Sequence, residues 1–187
     1  METRKFTIAF RLMHWAIALS IVLLLITIFL RMNWMKKDQM AGIIDANLKT
    51  LNISLTQDQL IKMAKQIRKP MWDWHIYIGY VLIGLYGLRM ILPFFGQMKF
   101  RNPFSKTATL KEKIQAWIYI VFYFFLGITL ITGLLIEVGP KSFKASLEAV
   151  HTLSLYYLIP FIVLHFGGVL LAELGTQKGI ISKIISG

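Results

Sequence analysis

The chain has 187 residues, 56% of them hydrophobic, and a mean hydropathy of +0.60, which excludes an ordinary water-soluble domain and makes lipid the solvent. A net charge of +12 would suit a nucleic-acid partner, but the 21 Lys and Arg residues sit almost wholly in stretches flanking apolar runs, where they read as headgroup and topology charges, so no nucleic acid is expected. With no cysteine, disulfides, iron–sulfur clusters and thiolate-ligated haem are closed, and imidazole has to carry any metal chemistry.

Crossing about 30 Å of hydrocarbon takes roughly 20 mostly apolar residues in a helix. Four runs qualify, residues 6–30, 74–95, 114–138 and 147–174. Each must be helical, because hydrocarbon offers the backbone no outside partner. The predicted fold is therefore an all-α membrane protein, a single domain over residues 1–187 built as a four-transmembrane-helix bundle. The first run is too long for a cleavable leader and lacks a small-residue cleavage site before Met35-Lys36-Lys37-Asp38, so it is read as a retained helix.

Four spans put both ends of the chain and the 96–113 loop on one side, A, and the 31–73 and 139–146 loops on the other, B. Lys and Arg divide evenly between the sides. The leader charges Arg4, Lys5 and Arg11 favour a cytoplasmic side A, because the first helix usually dominates orientation. In the long 31–73 loop, Thr56 and Gln59 form a capping-box signature. Leu60, Ile61, Ala64 and Ile67 then share one helical face until Pro70 ends the pattern, an amphipathic helix over about residues 57–68. It is expected to rest on headgroups, to cap the bundle or to dock a partner.

All four histidines, His14, His75, His151 and His165, fall inside or at the mouth of a span. An ionisable group at membrane depth costs several kcal/mol unless paired, hydrated or ligating, about 3 kcal/mol on insertion scales, so it marks function. His14 lies early in a helix leaving side A and His165 late in one returning there. His75 and His151 each begin a helix leaving side B. The four resolve into two pairs by depth, His14 with His165 and His75 with His151. On the fourth run, His151 and His165 are 14 residues apart, about 21 Å of rise and about four whole turns. One helix thus presents an imidazole near each surface, the arrangement that bis-histidine ligation of two b haems requires. Met13 or Met71 as an axial ligand is unnecessary.

Arg89, 14 residues after His75, should face inward at the His14/His165 level, where a buried guanidinium requires an anion such as a haem propionate. Arg11, one turn before His14, is a second candidate, with snorkelling to headgroups as its alternative. Lys69, Lys141 and Lys144 are within chain reach of the other haem's propionates. Gly79, one turn beyond His75, would let a flat macrocycle approach the backbone, as would Gly127 and Gly133, although close helix packing explains such glycines equally well. Trp15, Trp72, Trp74 and Trp117 lie near span ends, as an aromatic belt does.

The segments Phe10-Arg11-Leu12-Met13-His14-Trp15, Trp74-His75-Ile76-Tyr77-Ile78-Gly79 and Ile131-Thr132-Gly133, with His151 and His165 at their interval, resemble the bacterial cytochrome b561 family over essentially the whole chain. The resemblance implies two haem b groups with the pairing found above, a bacterial inner membrane, cytoplasmic termini and electron exchange with membrane quinone or quinol. The expected function is dihaem electron transfer between quinone and a small oxidant or reductant, such as superoxide, or a redox protein, an enzymatic role being that of a quinol or superoxide oxidoreductase. A haem-bearing anchor for the catalytic subunit of a hydrogenase- or dehydrogenase-type complex is the first alternative, and a histidine-based proton or metal transporter the second. Membrane lipid is the surrounding partner, a homodimer is left open, and no residue is assigned a catalytic role. The 31–73 loop is longer than in compact members, which leaves the side-B partner open.

Overall fold

The computed structural model describes residues 6–175 and 177–187; the leader charges Arg4 and Lys5 lie outside the described residues. Eight α-helices occur among these residues and no strand: α1 (Ile8–Met32), α2 (Lys37–Thr50), α3 (Gln57–Ile67), α4 (Lys69–Ile91), α5 (Leu110–Val138), α6 (Lys144–Thr152), α7 (Ser154–Leu174) and α8 (Ile180–Ile185). Four segments are long and apolar enough to cross a membrane, Ile8–Met32, Lys69–Phe95, Leu110–Val138 and Lys141–Leu174. The class is the all-α, four-span one expected.

The span limits differ from the expected ones for local reasons. Helix α4 starts at Lys69, with Pro70 in its first turn, where the missing N–H would have had no intrahelical partner. Pro70 therefore opens a span instead of merely closing the loop helix. Helix α5 starts at Leu110 because Thr109 and Glu112 form a capping box: the Glu112 N–H donates to the Thr109 hydroxyl at 3.3 Å and the Thr109 N–H to the Glu112 carboxylate at 2.9 Å. The fourth span is two helices, interrupted at Leu153, while Pro160 stays inside α7.

The described residues divide into two compact units, the first comprising residues 6–16 with those from Ile83 onward and the second Ile17–Leu82. In the second unit α2 and α3 form a hairpin. Ala41, Leu60 and Ala64 are buried in its seam, with Met40, Ile44, Leu48 and Ile61 packed against them. Most of the apolar face of α3, Leu60, Ile61 and Ala64, is thus taken up by α2, while Ile67 is left exposed. The capping box at Thr56 and Gln59 is present as expected. Truncating the seam with Leu60→Ala should loosen the hairpin by about 2 kcal/mol or more; limited proteolysis would then cut between residues 37 and 67 faster, with the spans intact.

Candidate functional site

In the first unit, α1 and α7 bring His14 and His165 together, with ring centres 6.0 Å apart and planes tilted by 39°. A metal-bound imidazole nitrogen lies about 2 Å from its ion and about 1 Å from its ring centre, so two imidazoles on opposite sides of one iron place their ring centres about 6 Å apart. The pair has that spacing. Phe161, one turn earlier on α7, stacks on His165 at 5.7 Å, and Phe10 stacks on His14 at 6.4 Å. The Tyr119 hydroxyl of α5 is 3.2 Å from His165 Nδ1.

His151, on α6 and also in the first unit, packs its ring on α5. Its Nδ1 is 3.0 Å from the Thr129 carbonyl oxygen and 3.3 Å from the Thr132 hydroxyl. A Cβ added at Gly133 would meet the His151 ring at 2.9 Å, so this glycine makes room for the imidazole.

His75 belongs to the second unit. The Thr27 hydroxyl donates to the Leu24 carbonyl at 2.6 Å and is 2.7 Å from His75 Nδ1, which makes the imidazole N–H the donor in that contact. Trp72 stacks on the His75 ring at 4.9 Å and 3°, with the Arg31 guanidinium over Trp72 at 4.5 Å. Three of the four histidines therefore have Nδ1 engaged by a protein oxygen. Such a bond orients a metal-ligating histidine and selects Nε2 as its ligand atom.

Arg89 is buried, 8% exposed, as the sequence suggested. Its guanidinium donates to the Met98 carbonyl at 2.9 Å and lies over Phe100 at 4.0 Å and Tyr123 at 5.4 Å. Among the described residues it has no carboxylate partner; the ion pairs are Lys49–Asp45, Lys69–Asp73 and Arg101–Glu112. Met98 holds that carbonyl with φ at +49°, a left-handed conformation that costs a non-glycine residue about 1–3 kcal/mol.

Arg11 is drawn elsewhere. It donates to the Ile185 carbonyl at 3.2 Å, Trp15 Nε1 donates to the Ile184 carbonyl at 3.0 Å, and together they hold the end of α8. Glu173, in the last turn of α7, accepts from the N–H groups of Gly179 and Ile181 at the start of α8. The short helix thus ties the beginning of α1 to the end of α7, the two helices that carry His14 and His165. Trp15 and Trp72 have roles beyond an aromatic belt, whereas Trp74 and Trp117 are exposed as a belt requires. A Cβ at Gly79 would meet no atom within 4 Å, while one at Gly127 would meet the Tyr86 hydroxyl at 2.6 Å. Gly127 is therefore a place where α5 makes room for Tyr86. Lys69 is engaged by Asp73 at 2.6 Å; Lys141 and Lys144 are exposed.

A family model described as prokaryotic cytochrome b561 matches residues 5–187. The chain belongs to that family. As a prokaryotic cytochrome b561 it is a multi-pass bacterial membrane protein, a b-type cytochrome of electron transfer with haem b as its cofactor. Searches of curated proteins and of solved structures found no match. The donor set suits that cofactor: imidazoles on apolar helices, no thiolate, and a buried cation, Arg89, with no carboxylate partner among the described residues. Among the described residues no cluster of three or more His, Asp or Glu side chains competes for a metal.

Four participants in this cytochrome escaped the sequence reading. Tyr119, Thr27 and the Thr129 carbonyl act on histidines far away in sequence, and only a lone polar residue within an apolar run could have flagged the first two. Glu173 left a clearer signal, a carboxylate within the last turn of a span.

Proposed function

We propose that this cytochrome holds two haem b groups, one between His14 and His165 and one between His75 and His151, and passes electrons between membrane quinone or quinol and a partner at the opposite surface. The observation that carries the reading is the 6.0 Å spacing of the His14 and His165 rings. The second pair rests on the depth of His75 and His151 in the sequence and on family membership. Haem supplies one-electron chemistry; the chain supplies axial nitrogens, burial and oriented hydrogen bonds, the levers that set its potential. Quinone exchange is favoured by family membership. The far-side partner is a small oxidant such as superoxide or a redox protein, and the termini are cytoplasmic in an inner membrane.

The test is a reduced-minus-oxidised spectrum of the purified chain with a pyridine-haemochrome count. Two b haems per chain are expected, with reduction by a quinol; a chain that binds no haem overturns the reading. Arg89 is proposed to face a propionate of the His14/His165 haem. Arg89→Ala should keep both haems and lower that haem's midpoint potential, because losing a buried cation disfavours the added electron. Coulomb's law at an effective dielectric near 20 and about 10–15 Å gives about 1 kcal/mol. An unchanged potential in a redox titration removes Arg89 from this role.

A specific observation supports a second reading, a haem-bearing subunit docked to a catalytic partner. The self-packed α2–α3 hairpin leaves Ile43, Leu51, Ile53 and Ile67 exposed outside its seam. Quinol oxidation by the isolated chain would count against an obligate subunit, and co-purification with a dehydrogenase or hydrogenase would favour one.

A further inference from the structure

Helix α5 carries no histidine, yet it supplies the Nδ1 partner of both histidines on the fourth span. The Tyr119 hydroxyl stands 3.2 Å from His165 Nδ1, and further along the same helix the Thr129 carbonyl stands 3.0 Å from His151 Nδ1. Both contacts lie within the first unit. The Tyr119 ring is half-buried and meets Phe161 and His165 edge to face, with ring centres 5.9 and 6.2 Å apart, so the phenol is fixed by its neighbours.

We infer that Tyr119 is the positioning residue of the His14/His165 haem, accepting a hydrogen bond from His165 Nδ1–H and so setting that haem's midpoint potential; the inference rests on the bis-histidine reading above. A neutral imidazole that binds iron through Nε2 carries its proton on Nδ1, and the acceptor it meets fixes both the ring's orientation and its basicity. A stronger acceptor makes the imidazole a better electron donor and stabilises ferric iron. A phenol oxygen is a weaker acceptor than a main-chain carbonyl. Helix α5 therefore gives the two fourth-span histidines unequal acceptors, favouring reduction at the Tyr119 end and oxidation at the Thr129 end.

The test uses the purified haem-loaded protein in detergent and spectroelectrochemical titration of two variants. Tyr119→Phe keeps the ring contacts and removes only the acceptor; Tyr119→Gln supplies a stronger acceptor, an amide oxygen. His14→Ala, by removing one haem, assigns the transitions. Tyr119→Phe should raise the midpoint of the His14/His165 haem by about threefold to tenfold in the reduced-to-oxidised ratio, tenfold being about 59 mV for a one-electron couple. Tyr119→Gln should lower it below the wild-type value, with the other haem unmoved in both. Packing damage would move both variants the same way, so shifts of one sign, or none while both haems remain bound, overturn the role of Tyr119. A wild-type protein that binds no haem would instead overturn the bis-histidine reading.

Discussion

His165→Ala is expected to remove one haem while a second remains, and His14→Ala to remove the same one. The two imidazoles, carried by α1 and α7, have ring centres 6.0 Å apart, the separation that two imidazoles sharing one iron would have. Loss of either axial nitrogen leaves the other without a shared ligand, so the double variant should be no worse than either single, the non-additivity of residues that act on one centre. Haem counts and low-temperature spectra of the three variants check this. Removal of different haems by His14→Ala and His165→Ala would break the pairing.

Gly133→Val should have the second large effect, at the second haem proposed above, for which His151 and His75 are the proposed ligands. A Cβ at this position would stand 2.9 Å from His151 Cε1 and 3.3 Å from Nδ1, while Nδ1 is bonded to the Thr129 carbonyl at 3.0 Å. The ring cannot clear a valine and keep that bond. Disturbing a ligand's supporting hydrogen bond typically costs 10–100-fold in affinity, so the His75/His151 haem should be lost or bound about that much more weakly, with the His14/His165 haem retained. Gly133→Ala separates ligation from folding. Alanine favours a helix over glycine by about 1 kcal/mol, so the variant should fold at least as well yet show a perturbed spectrum at that haem. Unchanged haem content and spectrum in both variants would show that Gly133 serves only packing.

The spans were legible because the physics that creates them is one-dimensional: a lipid core of fixed thickness demands about 20 apolar residues, and a run of that length needs no tertiary information to be seen. The same holds for depth. His14 and His165 were matched from their places along their helices, and Arg89 was read as buried. Helix α2 was missed because its stripe, Met40, Ile44 and Leu48 beside Ala41, sits in a segment rich in charge and broken by Gly42, with no side-chain cap at Lys36. The stripe has meaning only once α3 is laid against it. Thr109 and Glu112, by contrast, carried the same capping-box pattern that revealed α3, and they mark the true start of α5.

Sequence alone thus determined the class, the four spans and which residues are the ligand candidates, because hydrophobic length and the cost of burying an imidazole act residue by residue along the chain. Tertiary structure decided what Nδ1 of three of the four histidines meets: Tyr119 for His165, the Thr129 carbonyl for His151 and Thr27 for His75. It also drew Arg11 to α8 and gave Gly133 to the His151 ring. A hydrogen bond or van der Waals contact depends on side-chain azimuth and on which helix lies alongside, and neither is encoded in the period or depth of a single span.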